Sequence, residues 1–149
     1  MNETLQILAT LLAAVWFGGL VTLNIILLLS SQNAFDVRPA YTRTVMHHFF
    51  RDFTRAELVF APLVILLTVL GGGPLDVTLV ALFMGIMAAA VLFLLEPQRA
   101  AAWAEAEDGA FVSGSPAEGR FGGLNLAILG TQAALIVMGG TLLAALVVA

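Results

Sequence analysis

Two carboxylates stand at the edges of long apolar runs in this chain: Glu57 opens the second run and Glu96 closes the third, in Leu94-Leu95-Glu96-Pro97-Gln98-Arg99. A carboxylate beside hydrocarbon is costly unless it is paired or hydrated, so such a residue is a candidate functional group by default. The chain supplies partners. All six basic residues are arginines, and Arg51, Arg55, Arg99 and Arg120 lie in the same two polar segments as these acids. Asn24 on the first run and Asn125 on the fourth are expected at a similar depth. We expect one polar cluster of Glu57, Glu96, Arg51, Arg55, Arg99, Asn24 and Asn125, with the arginines neutralising both acids. Such a cluster either locks the helix ends or forms an ion, proton or substrate site.

Other chemistry is poorly supported by the residue types. The pair His47-His48 invites a metal reading, but neighbours on a helix point about 100° apart and do not readily share one ion. The chain has no other histidine and no cysteine, so thiolate ligation, disulfides and thiol catalysis are excluded together. Met84, Met87 and Met138 could line a soft copper path, although methionine at helical spacing is ordinary packing. No nucleophile–base pair is legible, and the sequence calls for no cofactor. We therefore expect a non-enzymatic protein.

The elements that carry these residues follow from composition. The chain of 149 residues is 60% hydrophobic and 11% charged, with mean hydropathy +1.01. A soluble domain is about a quarter charged. A net charge of -4, with no lysine and with arginines matched by nearby acids, gives no footprint for nucleic acid. A helix needs about 20 apolar residues to cross the hydrocarbon core, and four segments meet this, at about 5–30, 54–72, 76–96 and 122–148. Backbone in lipid must satisfy its own hydrogen bonds, and no alternation suggests a barrel, so the spans are helices. The expected fold is all-α, a single-domain integral membrane four-helix bundle. The start lacks the basic region of a secretory signal, so the first run is read as a retained span.

Between the first two spans the sequence predicts an amphipathic cytoplasmic helix. Pro39 suits its first turn, and Tyr41, Val45, Phe49 and Phe53 repeat beside a stripe of Arg43, His47, Arg51 and Arg55. Such a helix sits at the headgroup boundary, and Arg43, Arg51 and Arg55 are suited to anionic lipid. Gly71-Gly72-Gly73-Pro74 is a breaker that makes spans two and three a hairpin, and 104–119 is expected to be a loop. Arginine confined to alternate connections sets orientation. The 31–57 and 96–123 segments are expected in the cytoplasm, and both termini and the Gly-rich turn outside, in a bacterial inner membrane.

Three passages resemble the transmembrane protein 205-like family, four-span membrane proteins built on a domain of unknown function. They are Trp16-Phe17-Gly18-Gly19, Phe49-Phe50-Arg51-Asp52-Phe53 and Leu95-Glu96-Pro97-Gln98-Arg99-Ala100-Ala101-Ala102-Trp103. The resemblance implies the four-span architecture and no defined reaction. Family members carry a longer approach to the last span, ending in His-Gly. Here Arg120-Phe121-Gly122-Gly123-Leu124-Asn125 is shorter and Asn125 replaces that histidine, which weakens any borrowed proton relay. The aromatic-glycine pattern is also similar to copper-resistance and haem-pathway membrane proteins, which would require histidine in the spans. The expected function is transporter- or channel-like around Glu96, with a structural or accessory subunit of a membrane complex as the alternative. Four spans are few for a transporter, so a homo-oligomer or membrane partner is expected.

Overall fold

The computed structural model describes residues 3–31, 39–105 and 111–148, with the side chains of 27–47, 49 and 50 outside that description. The described residues fold as helices and turns: α1 (Glu3–Ser31), α2 (Pro39–Leu70), α3 (Leu75–Ala90), a π-helical turn (Val91–Leu95), α4 (Glu96–Ala104) and α5 (Pro116–Val148). Four stretches are long and apolar enough to cross a membrane: Glu3–Ile26, Arg51–Leu70, Leu75–Ala104 and Pro116–Val148.

The helices close into a ring in which α1 packs on α2, α2 on α3, α3 on α5 and α5 on α1. Their directions follow from side-chain contacts. Trp16 meets Glu57, while Gly19, further along α1, meets Phe53, earlier on α2. Gln6 donates to the Leu146 carbonyl, while Phe17 lies against Gly139. Both pairs are antiparallel. The described start of α1 and the described end of α5 therefore share one end of the bundle with the 71–74 turn, and α4 lies toward the other end.

The core is built from small residues at the crossings, Ala9, Ala13, Ala61, Ala81 and Ala88, with Trp16, Leu20, Met84, Leu135 and Leu142 filling the space between. Small residues bring helix axes close, so that dispersion and packing hold the bundle. Gly85 is such a point where α2 meets α3: a Cβ there would stand 2.8 Å from the Ala61 Cβ. The outer faces are apolar too, with Ile7, Leu11, Val59, Leu66, Phe83, Ile86 and Val137 exposed on the four helices. Exposed apolar faces of this extent are unusual on a domain that stands alone in water.

Three expectations change. The amphipathic segment is not a separate helix before span two, because α2 runs unbroken from Pro39 to Leu70. No glycine or proline interrupts residues 40–61, so the α-helix has no reason to stop between them. The side chains of Arg43 and His47, like most of the predicted aromatic face, lie outside the described residues. Span three also does not end at Glu96, since the helical path continues through α4 to Ala104. Finally, the predicted 104–119 loop is shortened from its far side. Ser115 accepts a hydrogen bond from the Glu118 amide, and Pro116 begins α5, the cap-and-proline start favoured at helix N-termini.

The passage through Pro97 decides which residues face inward. In an unbroken α-helix the proline ring would meet the Phe93 carbonyl, and the Pro97 N–H is missing. The helix widens instead, and the Glu96 amide reaches five residues back to the Val91 carbonyl. This inserts one extra residue into the turn. Val77, Ala81, Met84, Ala88 and Val91 face the core in alternating steps of four and three. Continuing those steps would bury Leu95 and Gln98; the structure buries Glu96 and Arg99.

Candidate functional site

The polar interior forms two groups rather than the single cluster expected. The first lies where α1, α2 and α5 meet. Glu57 is fully buried, Trp16 Nε1 donates to its Oε1 at 3.3 Å, and the Gln132 amide stands beside the same carboxylate. Glu57 Oε2 and both amide atoms of Gln132 are buried without a hydrogen bond of good geometry. Among the described residues no ion pair reaches Glu57. The Trp16 ring continues onto Phe60, one turn from Glu57, with centroids 6.3 Å apart. By helical rise, Glu57 sits about 20 Å from the Leu70 end of α2 and about 9 Å from Arg51.

The second group is nearer the α4 end. Glu96 and Arg99 form a buried ion pair at 2.7 Å, and Arg99 Nη1 donates to Asn125 Oδ1 at 3.4 Å. Arg51 is near enough to act on Glu96 through its charge, and both line one outward-opening cleft. The pair exists because the π turn aims Glu96 and Arg99 inward together, one helical turn apart.

Between the two groups lies an apolar layer of Leu23, Val91 and Ile128, backed by Phe53 and Leu95. Phe53 also packs on the main core. Its ring rests on Gly19, where an added Cβ would come to 2.5 Å from the ring. Glycine at that position is what lets the ring lie across the α1–α2 contact.

Asn24 Nδ2 donates to the Leu20 carbonyl of its own helix at 2.9 Å, and no described hydrogen bond joins it to either group. Arg55 pairs with Asp52 at 3.2 Å on the surface. Arg120 holds both oxygens of Glu105, at 2.7 and 2.8 Å, across the α4–α5 surface. Neither arginine neutralises a buried acid. The expectation that the arginines jointly neutralise Glu57 therefore fails, since α2 turns Glu57 toward Trp16 and leaves Arg55 exposed. His48 is exposed and lies 3.2 Å from Arg51 Nη2. Among the described residues no three histidine, cysteine or acidic side chains converge on a common point.

Trp16 and Gln132 were not anticipated as polar participants. Gln132 had a readable trace, an amide in the middle of an apolar helix. Counting helical rise inward from the shared end puts Trp16, Glu57 and Gln132 within about 5 Å of one level. That count requires knowing which ends coincide. No family model, curated protein or solved structure matches the chain.

Proposed function

We propose that this chain is a four-span integral membrane protein that moves a proton or small cation through the site at Glu57. The resemblance to the transmembrane protein 205-like family is part of this reading, and the four long apolar helices support it. The reading sets both termini outside a bacterial inner membrane, with the arginine-bearing segments in the cytoplasm. Glu96, Arg99 and Asn125 then form the inner mouth, and the Leu23–Val91–Ile128 layer is the barrier between mouth and site.

The observation that carries the proposal is Glu57 itself. Burying an ionised carboxylate with no counter-charge costs several kcal/mol, and a bundle that needed only cohesion would be better served by leucine. Binding a proton or a small cation removes that cost, and the free Oε2 and the Gln132 amide oxygen are acceptors for it. The test is flux in proteoliposomes under a potassium diffusion potential, following protons with an internal pH dye and sodium with a tracer. We expect flux above protein-free vesicles, abolished by Glu57→Gln in a variant whose helicity is unchanged. Absence of proton and sodium flux in wild type, or full flux in Glu57→Gln, would refute the assignment. Orientation is checked by single-cysteine labelling, which the cysteine-free chain makes clean. A membrane-impermeant maleimide should label Gly73→Cys in intact cells and leave Ser113→Cys unlabelled.

A second reading, an accessory subunit of a membrane complex, is favoured by the outer face of α5. Added Cβ atoms at Gly122, Gly123 and Gly130 would meet nothing within 4 Å, and small residues of this kind serve close helix approach. Purification in mild detergent distinguishes the two readings. A stable oligomer or stoichiometric partner that dissociates in Gly123→Leu/Gly130→Leu supports the subunit role; a monomer that retains flux excludes it.

A further inference from the structure

A cleft of about 300 Å³ opens outward between α2 and the π turn, lined by Arg51, Arg55, Leu92, Phe93, Glu96 and Pro97. Its two walls differ in chemistry. Arg51 and Arg55 stand one turn apart on the same side of α2, a spacing that lets two guanidiniums reach one anion. The facing wall is apolar apart from Glu96, and Phe93 and Leu94 continue it outward at 66% and 60% exposure.

Charge in and around the cleft favours an anion. The acids present are Glu96, held by Arg99 at 2.7 Å, and Asp52, 3.2 Å from Arg55. Counting Arg51, Arg55 and Arg99 against Asp52 and Glu96 leaves one positive charge. Among the described residues the buried Nε of Arg51 has no hydrogen-bond partner, and its Nη2 lies 3.2 Å from His48 Nδ1.

Height along the helix identifies the class of acceptor. Arg51 lies about 29 Å from the Leu70 end of α2 by helical rise, which matches a hydrocarbon thickness of about 30 Å. In the orientation proposed above, the Arg51 backbone is at the inner hydrocarbon boundary with its side chain in reach of the phosphates, and Arg55, one turn deeper, reaches toward them by extending its stem along the helix. Phe93 falls slightly inside the hydrocarbon boundary. We propose that the cleft binds one anionic glycerophospholipid of the inner leaflet, its phosphate held by Arg51 and Arg55 and one acyl chain lying along Phe93 and Leu94. This rests on the membrane reading but not on transport through Glu57.

The test uses the full chain in maltoside detergent, with lipid retention read by native mass spectrometry and stability by thermal unfolding. The probes are dioleoyl phosphatidylglycerol, dioleoyl phosphatidylcholine and inorganic phosphate. Phosphatidylglycerol should be retained one per chain and raise Tm, while phosphatidylcholine and free phosphate should do neither. Arg51→Gln/Arg55→Gln should weaken phosphatidylglycerol binding at least ten-fold, Arg51→Lys/Arg55→Lys less, and Arg120→Gln not at all. Equal retention of phosphatidylcholine would overturn the proposal on wild type alone, whether or not the double variant folds. Equal stabilisation by inorganic phosphate would reduce the site to a free-anion site and overturn the lipid assignment. A chain released from membranes by alkaline carbonate would sink the membrane reading and this proposal together; one retained there but indifferent to lipid charge sinks only this proposal.

Discussion

The tightest test of the packing is Gly85→Ala. Its new Cβ would lie 2.8 Å from the Ala61 Cβ, where carbon atoms ordinarily rest about 3.5–4.0 Å apart. Relief requires α2 and α3 to separate locally by about 1 Å, because a methyl fixed on Cβ has no rotamer to yield. Overpacking of this kind costs about 1–3 kcal/mol. Alanine recovers about 1 kcal/mol through its better helix preference. The net runs from about zero to about 2 kcal/mol of destabilisation, centred near 1, or up to a roughly thirty-fold fall in the folded-to-unfolded ratio. The assay is reversible unfolding in mixed micelles with a rising fraction of dodecyl sulfate, followed by circular dichroism and by the fluorescence of Trp16 and Trp103. Gly85→Ala/Ala61→Gly leaves one methyl at the crossing, as in wild type, so the double variant should be more stable than the summed single effects by about 0.5–3 kcal/mol. An additive cycle, or a Gly85→Ala protein more stable than wild type, would refute the claim that this contact sets the α2–α3 distance.

Other substitutions probe the rest of the interior. Gly130→Ala meets open space, so unfolding in the same assay should show a gain of up to about 1 kcal/mol from helix preference. Trp16→Phe keeps the ring near Phe60 but removes the donor to Glu57 Oε1. Leaving that buried acceptor unmade should cost about 1–3 kcal/mol, and the cost should shrink when Trp16→Phe is made in Glu57→Leu. Pro97→Ala restores the missing N–H and should return the π turn to α-helix, rotating Glu96 and Arg99 by about 100°. The energetic coupling of Arg99→Gln with Asn125→Ala, measured by a double-variant cycle, should then vanish; if it persists, Pro97 is not the cause of the turn.

Much of the molecule was legible as a one-dimensional pattern. Four apolar runs, the breaker at 71–74 and the absence of strand alternation determined an all-helical chain with four helices long enough to cross a membrane, because helix length and hydropathy are local properties. The polar candidates near the second and third runs were legible for the same reason, since a charge beside hydrocarbon stands out wherever it falls. The arginine asymmetry was legible too, and it remains the ground for the proposed orientation.

Pairing was not legible, because it depends on the rotation of each helix about its axis and on which levels of neighbouring helices coincide. Glu57 and Arg55 are two residues apart, yet one is buried against Trp16 and the other is exposed beside Asp52. Glu96 and Arg99 face inward because a proline forces one extra residue into the preceding turn, a change of phase that no apolar periodicity announces. Sequence alone thus determined which residues are polar in an apolar chain and how many helices carry them. Only the tertiary structure decided that they divide into a buried Glu57 with Gln132, reached by no ion pair among the described residues, and a Glu96–Arg99 ion pair, separated by Leu23, Val91 and Ile128. Whether two side chains meet is a property of the packed bundle, and no single helix carries it.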